Sequence, residues 1–280
     1  MTERPGLSGV VIAFQEADRI ADCLRSLQFC DEILVVDSGS TDGTQELARS
    51  FGARVIERPW PGHVAQKEWA IREARHDWVF CLDADERCTA TLVAEIEALR
   101  ANGFPQHAGF EMRRRTSYLG RWIRFGGWNP DRKLRLFDRR RGHWGGHDPH
   151  DHVQIEGSVG RLRGRLLHDA YRGLDDHLRT IERYTTIMAE GMHARGRRAR
   201  PLDLLTRPAA RFVRFYVLKF GFLDGWRGLL IACLAARYAQ LKYAKLLAIG
   251  RQEPTACPPD VLPGTFGTAP ATQPDRASAR

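Results

Sequence analysis

The sequence predicts an α/β protein, a mainly parallel sheet flanked by helices with a helical C-terminal appendage. Three observations predict it. Short apolar runs alternate with helical-period segments up to about residue 103. Two of those runs end abruptly in acids, Glu32-Ile-Leu-Val-Val36 at Asp37 and Trp78-Val-Phe-Cys-Leu82 at Asp83, Asp85 and Glu86. From about Leu174 to residue 250 the pattern is helical, broken at Pro201, Pro208 and Gly221.

Taken in order, residues 8 to 14 read as a buried strand, and Ile20, Leu24 and Leu27 then recur at helical spacing. The strand at 32–36 leads into Ser38-Gly-Ser-Thr-Asp-Gly-Thr44, a run of small capping residues, and a helix that stops at Gly52. Residues 54–57 form a short strand, and a helix runs from about Val64 to Ala74. The strand at 78–83 delivers Asp83, Asp85 and Glu86 to its carboxyl end, where open α/β sheets bind ligands. Crowded carboxylates repel one another unless a positive charge sits between them, and a divalent cation carrying a phosphorylated substrate is one such charge. An acidic helix start is the other reading of the same letters. Of the three acids, Glu86 is expected to begin the next helix, which Thr89 caps and which buries Leu92, Ile96 and Leu99.

Residues 104–173 differ in texture. Strand fragments at Gly109–Met112 and Lys133–Phe137 alternate with arginines and glycines. We therefore expect a first half at 1–103, a second, more irregular half of the same domain at 104–173, a helical region at 174–250 and a disordered tail at 251–280, which is rich in Pro, Thr and Ala.

Composition narrows the partners. The chain has 280 residues, 43% of them hydrophobic, a formal charge of +9 and a pI near 9.6, so its partner is expected to be anionic: nucleic acid, a phosphorylated substrate or a membrane face. Six cysteines without a C-x-x-C pair suit buried thiols in a reducing compartment. The N-terminus lacks the pattern of a signal peptide, and the apolar run Gly228–Ala236 falls well short of the ~20 residues of a spanning helix.

The element Val35-Val-Asp-Ser-Gly-Ser-Thr-Asp-Gly-Thr44 places a carboxylate at a strand tip before a small-residue turn, either a ligand cradle or simply a good helix cap. It is neither a G-x-G-x-x-G fingerprint nor a Walker loop. Together with Phe14-Gln-Glu-Ala17, Gln66-Lys67 and Leu82-Asp-Ala-Asp-Glu86, in that order, it resembles an inverting family 2 glycosyltransferase of the GT-A fold. Trp128-Asn-Pro-Asp131, Leu134-Arg-Leu-Phe137, Pro149-His-Asp151, His168-Asp-Ala-Tyr171 and Gly221-Phe-Leu-Asp-Gly225 are similar to the branch of lipopolysaccharide core β-1,4-glucosyltransferases that modify inner-core heptose.

The resemblance makes 1–103 the nucleotide-sugar-binding half and 104–173 the acceptor-binding half of the domain, and it implies a role for each matching position. Glu16 and Asp37 would contact the nucleoside, Lys67 would lie near the nucleotide, Asp83 would face ribose or a metal-bound water, and Asp85 would bind Mg²⁺ or Mn²⁺. Asp151 would be the base that takes the acceptor proton, and His168 a second metal contact. Arg135 is chosen for a diphosphate or acceptor-phosphate contact, because a guanidinium matches phosphate oxygens in a bidentate manner. The arginines from Arg113 to Arg132 are expected to serve phosphate recognition in part and solvation otherwise. Gln15 and Glu68 depart from the Asn residues that relatives carry there, which bears on sugar or nucleotide preference.

His143, His147, His150 and His152 crowd one stretch but match no zinc-ligand spacing. In the segment 204–220, Arg207, Arg211 and Arg214 recur at helical spacing among aromatics, as in a membrane-surface helix or a helix packed on the core. The function expected is transfer of a sugar, glucose first, from a UDP-sugar to a lipid-linked saccharide. The expected location is the cytoplasmic, inner face of the membrane, with peripheral contact to anionic lipid and no nucleic acid partner. The alternative is a non-catalytic protein that binds nucleotide, nucleic acid or anionic membrane on a similar fold. A nucleotidyltransferase or phosphohydrolase predicts a glycine-rich loop after the first strand, and Phe14-Gln-Glu-Ala-Asp18 is not one.

Overall fold

The computed structural model describes residues 4–104, 106–147 and 150–251. Pro149 and the tail expected to be disordered, from position 252 on, lie outside the described residues.

Strands β1 (Leu7–Ala13), β2 (Glu32–Asp37), β3 (Arg54–Glu57) and β4 (Trp78–Asp83) lie parallel in the order β3-β2-β1-β4. They are joined through helices α1 (Ile20–Ser26), α2 (Thr44–Ser50) and α3 (His63–Glu73). Period-two alternation divides their side chains between two cores. Leu7, Val11, Val35, Phe80 and Leu82 pack with Ile20 and Leu24 of α1, whereas Val10, Leu34, Val36, Val79 and Cys81 pack with Ala70 and Ile71 of α3. Register places Ala13 beside Asp37 and Ile12 beside Asp83. Both acids therefore emerge at one sheet edge, on either side of β1, where the strand order reverses and a crevice forms.

The second half continues the same sheet through β5 (Glu86–Cys88), β6 (Gly109–Tyr118), β7 (Arg121–Trp122), β8 (Asp131–Asp138) and, after a separate antiparallel pair β9 (Gly142–His147) and β10 (His150–Ile155), β11 (Val159–Asp169). Here antiparallel pairing enters: β8 runs antiparallel to both β4 and β6, and β11 lies parallel to β6 with β5 antiparallel on its other side. The result is a nine-stranded sheet. The pair β9–β10 lays Trp144, Val153 and Ile155 against the α3 core, which carries Asp151 to the acidic edge.

Two sequence expectations change. Glu86 does not begin a helix; it opens β5 opposite His168 of β11, and α4 (Ala90–Ala101) starts later, with Thr89 Oγ1 accepting the Leu92 N–H at 3.4 Å. Pro208 does not interrupt the helical region, since it lies inside α6 (Asp203–Val213). No residue of α6 is buried, so the carbonyl left without its N–H partner is open to water.

Helices α5 (Leu174–Ala194) and α7 (Gly225–Ile249) form a further core in which Ile181, Ile231 and Leu234 meet Tyr118 and Ile123. The Arg207 and Arg211 guanidiniums lie over the rings of Tyr243 and Phe215. Leu205, Val217, Leu218, Phe220, Phe222 and Trp226 are exposed beside the exposed Arg207 and Arg214, so the outward surface here is both apolar and basic. Among the described residues no helix is long and apolar enough to cross a membrane. Cys23 and Cys81 are buried, all five described cysteines are free, and burial pushes the Cys81 thiol up to about 12.

Candidate active site

The carboxyl edge of β4 holds a buried network of opposite charges. Lys67, one turn into α3, donates to Asp83 and to Asp151, each at 2.7 Å, and its ammonium lies 4.7 Å from the centre of the Trp144 ring. Arg135 on β8 meets Asp83 at 2.5 Å and Glu86 at 3.0 Å beneath the same ring. Arg114 on β6 completes the set, 2.9 Å from Glu86 and 2.8 Å from Asp131. Burial penalises the charge of Asp83, but Arg135 and Lys67 outweigh it and hold the carboxyl well below its ordinary range. Burial also opposes charge on Lys67, and Asp83 and Asp151 outweigh that too, so its pKa is raised. The buried charges of Lys67, Glu86 and Arg135 and the half-buried one of Asp83 thus persist because each has an opposite neighbour.

Asp37 sits buried at the tip of β2, where its carboxylate accepts from the N–H groups of Gly39 and Ser40, the Ser40 hydroxyl and the Gln45 amide, at 2.6–3.0 Å. It organises the small-residue turn directly. Two strand spacings separate Asp37 from Asp83, about 10 Å. Gln15 bends the chain at the end of β1 with φ of 57°, its N–H donating to Ser40 Oγ at 2.8 Å. Glu16 next to it is held by Arg19 at 2.7 Å and by Arg172 at 3.0 Å. Burial nonetheless raises the Glu16 pKa against the pull of both arginines. Arg172 also donates to the Gln15 carbonyl at 2.8 Å, tying the loop after β1 to the end of β11.

Asp85 stands apart from the buried network, with His168 Nε2 at 3.3 Å and Arg19 at 4.0 Å. His168 Nδ1 lies 3.2 Å from Thr116 Oγ1, which leaves Nε2 directed at Asp85. Among the described residues no cluster of three or more His, Cys, Asp or Glu side chains is placed to hold a metal. A carboxylate and an imidazole side by side do fit the protein's share of a Mg²⁺ or Mn²⁺ site whose remaining ligands are diphosphate oxygens and water. His143 Nε2 pairs instead with Gln154 at 3.1 Å, and the His147 and His150 side chains lie outside what is described.

The structure thus brings Lys67, Asp83, Arg135 and Asp151 together, sets Asp85 and His168 as a second pair, and places Asp37 and Glu16 along the crevice. Arg135 is turned to Asp83 and Glu86, so it braces carboxylates where a phosphate contact was expected. Sequence reasoning passed over Arg19, Trp144 and Arg172, and placed Arg114 only among the arginines expected for phosphate or solvent. Trp144 is anchored by its backbone N–H, which donates to Glu68 Oε2 at 2.9 Å, the position already noted as a departure.

Fold and site together define a glycosyltransferase of the GT-A class. The family model described as "Glycosyl transferase family 2" matches residues 8–153. The chain is 32% identical over 252 residues to the lipopolysaccharide core biosynthesis glycosyltransferase LpsC of Rhizobium meliloti (strain 1021), covering 86% of this chain and 91% of that protein. It is 26% identical over 253 residues to the uncharacterized glycosyltransferase RT0209 of Rickettsia typhi, covering 86% of each. Among solved structures it is similar to the mannosyltransferase PcManGT from Pyrobaculum calidifontis in complex with GDP-Man and Mn²⁺, with TM-score 0.50, 16% identity and 88% coverage of both chains. The chain belongs to glycosyl transferase family 2.

Proposed function

We propose that this glycosyltransferase moves glucose from a UDP-sugar to a lipid-linked saccharide, the inner-core heptose of lipopolysaccharide, with inversion, at the cytoplasmic face of the membrane. The observation that carries the reading is Lys67, whose ammonium joins Asp83 on the donor strand to Asp151 on the β9–β10 pair. A base from one half of the domain therefore stands beside the donor floor of the other. The lipopolysaccharide-core relative supports the acceptor class, and the exposed apolar edge around Phe220 and Trp226 supports an acceptor held in a membrane.

In this reading Asp37 and Glu16 line the nucleoside end of the crevice, and Asp83 faces the ribose with Lys67 and Arg135 fixing its carboxylate. Asp151 accepts the proton of the acceptor hydroxyl as that oxygen bonds to the anomeric carbon. The bond from that carbon to the diphosphate breaks on the opposite side, so the configuration inverts in a single displacement. Asp85, with His168 beside it, would hold a divalent cation that would supply charge neutralisation to the leaving diphosphate. The test is a donor panel (UDP-glucose, UDP-galactose, UDP-N-acetylglucosamine, ADP-heptose) with a heptose-terminated lipid acceptor and Mg²⁺ or Mn²⁺. Transfer from UDP-glucose is expected; no transfer and no metal-dependent hydrolysis of any donor would overturn the proposal.

A further inference from the structure

The second half of the sheet carries a depression of about 290 Å³ whose lining includes Arg113, Arg114, Arg115, Arg124, Arg165 and Asn129. Register pairs Arg113 with Arg165 and Arg114 with Leu166, while Thr116 pairs with His168. Alternation therefore points Arg113, Arg115 and Arg165 to the face opposite Arg114, Thr116 and His168. The depression shares Arg114 with the acidic site, and its other arginines lie outside that site.

Arg114 is committed to Glu86 and Asp131. Among the described residues, Arg113, Arg115, Arg124 and Arg165 make no ion pair with any carboxylate, although 26 other such contacts of Lys and Arg, and one of His, are formed. Burial and the charges of Arg124 and Arg165 depress the Arg115 guanidinium, offset in part by Asp224. Four guanidiniums lining one depression, offset only in part by the Asp224 carboxylate, repel one another, and an anion that they share removes the repulsion.

The wall of the depression also points to where that anion comes from. The Arg124 and Phe125 N–H groups donate to the Asp224 carboxylate, at 3.0 and 2.8 Å, and the Gly126 N–H donates to the Lys219 carbonyl at 2.8 Å. That stitching fixes the wall to the turn bearing Phe220, Phe222, Leu223 and Trp226, all exposed. A basic cavity built onto an apolar edge matches an amphiphile with an anionic head. At this volume it suits a head group rather than an extended nucleic acid backbone.

We propose that this arginine pocket binds the phosphomonoester head group of a membrane lipid and seats the enzyme on its membrane. The inference rests on the pocket and its apolar wall, independently of which sugar is transferred. The test is flotation of the full chain with vesicles of phosphatidylcholine alone, or with phosphatidylserine or phosphatidic acid at matched surface charge. The wild-type protein is expected to prefer the phosphatidic acid vesicles about tenfold, with inorganic phosphate competing. Arg113→Ala with Arg165→Ala, two exposed side chains whose removal leaves the core intact, is expected to abolish the preference. Equal binding at matched charge, or a preference retained by the double variant, would overturn the proposal. Thermal stabilisation by inorganic phosphate, lost in the double variant but without any lipid preference, would assign the pocket to a soluble phosphate and overturn the lipid source.

Discussion

Lys67 does the most at the scale of single residues, because one ammonium serves two carboxylates from different halves of the domain. Removing one partner of a buried ion pair leaves the others uncompensated, so Lys67→Met is expected to cost roughly 3–5 kcal/mol in urea unfolding and to abolish transfer. A second residue gives a pH test. His177 is buried, with Nδ1 2.9 Å from the Tyr118 hydroxyl and its ring stacked on Tyr171 at 3.9 Å. Burial drops its pKa from 6.5 to about 4, with Asp176 pulling weakly the other way. The unfolded chain then binds the proton more readily, so this contribution is full above pH 6.5 and fades as pH falls towards 4. His177→Phe is expected to flatten the stability profile across that window by roughly 3 kcal/mol, measured by urea titrations at stepped pH. Asp83 and Asp85 were legible as candidates because acids at a strand tip stand out, and Asp151 only through the family resemblance of Pro149-His-Asp151. Trp144 was not, and the role of Arg114 was not, since their partners Lys67 and Glu86 come from other elements of the chain and only the fold brings them near.

Among the elements, the parallel strands β1 to β4 were readable from their apolar runs, and α3 and α4 from spacing and the Thr89 cap. β11 was not foreseen, although Gly160, Leu162, Gly164 and Leu166 alternate with exposed residues along it. Glycines at half the buried positions hide that alternation from a reading by hydrophobicity. Gly164 has a packing reason: a Cβ there would stand 2.4 Å from Cα of Leu92 in α4. Gly164→Ala must push α4 away from β11, with an expected loss of about 1–3 kcal/mol in denaturant unfolding. An unchanged midpoint would mean that α4 and β11 are less tightly apposed than the structure has them. Glu86 was misread for a related reason. Its partners Arg114 and Arg135 come from β6 and β8, and the pull of β11 on β5 outweighs the local preference of an acid for a helix start.

Across the whole molecule, the +9 charge is not spread evenly, since arginines gather in the pocket on β6 and β11 while the outward edge of α6 and the start of α7 expose large apolar side chains beside Arg207 and Arg214. A surface-seated enzyme would need that edge only for an acceptor in a bilayer. Phe222→Ser with Trp226→Ser is therefore expected to lower transfer to a vesicle-embedded acceptor about tenfold and to leave transfer to a short soluble acceptor unchanged. Equal rates on both acceptors in the variant would remove the membrane from the account. The central claim is that two halves of one domain divide the chemistry, the donor half through Asp85 and the acceptor half through Asp151. It is tested most directly by measuring donor affinity and single-turnover transfer side by side in Asp85→Asn and Asp151→Asn. Asp85→Asn is expected to weaken metal-dependent binding of the nucleotide sugar, and Asp151→Asn to stop transfer with donor affinity nearly intact; equal loss of donor affinity in both would contradict the division.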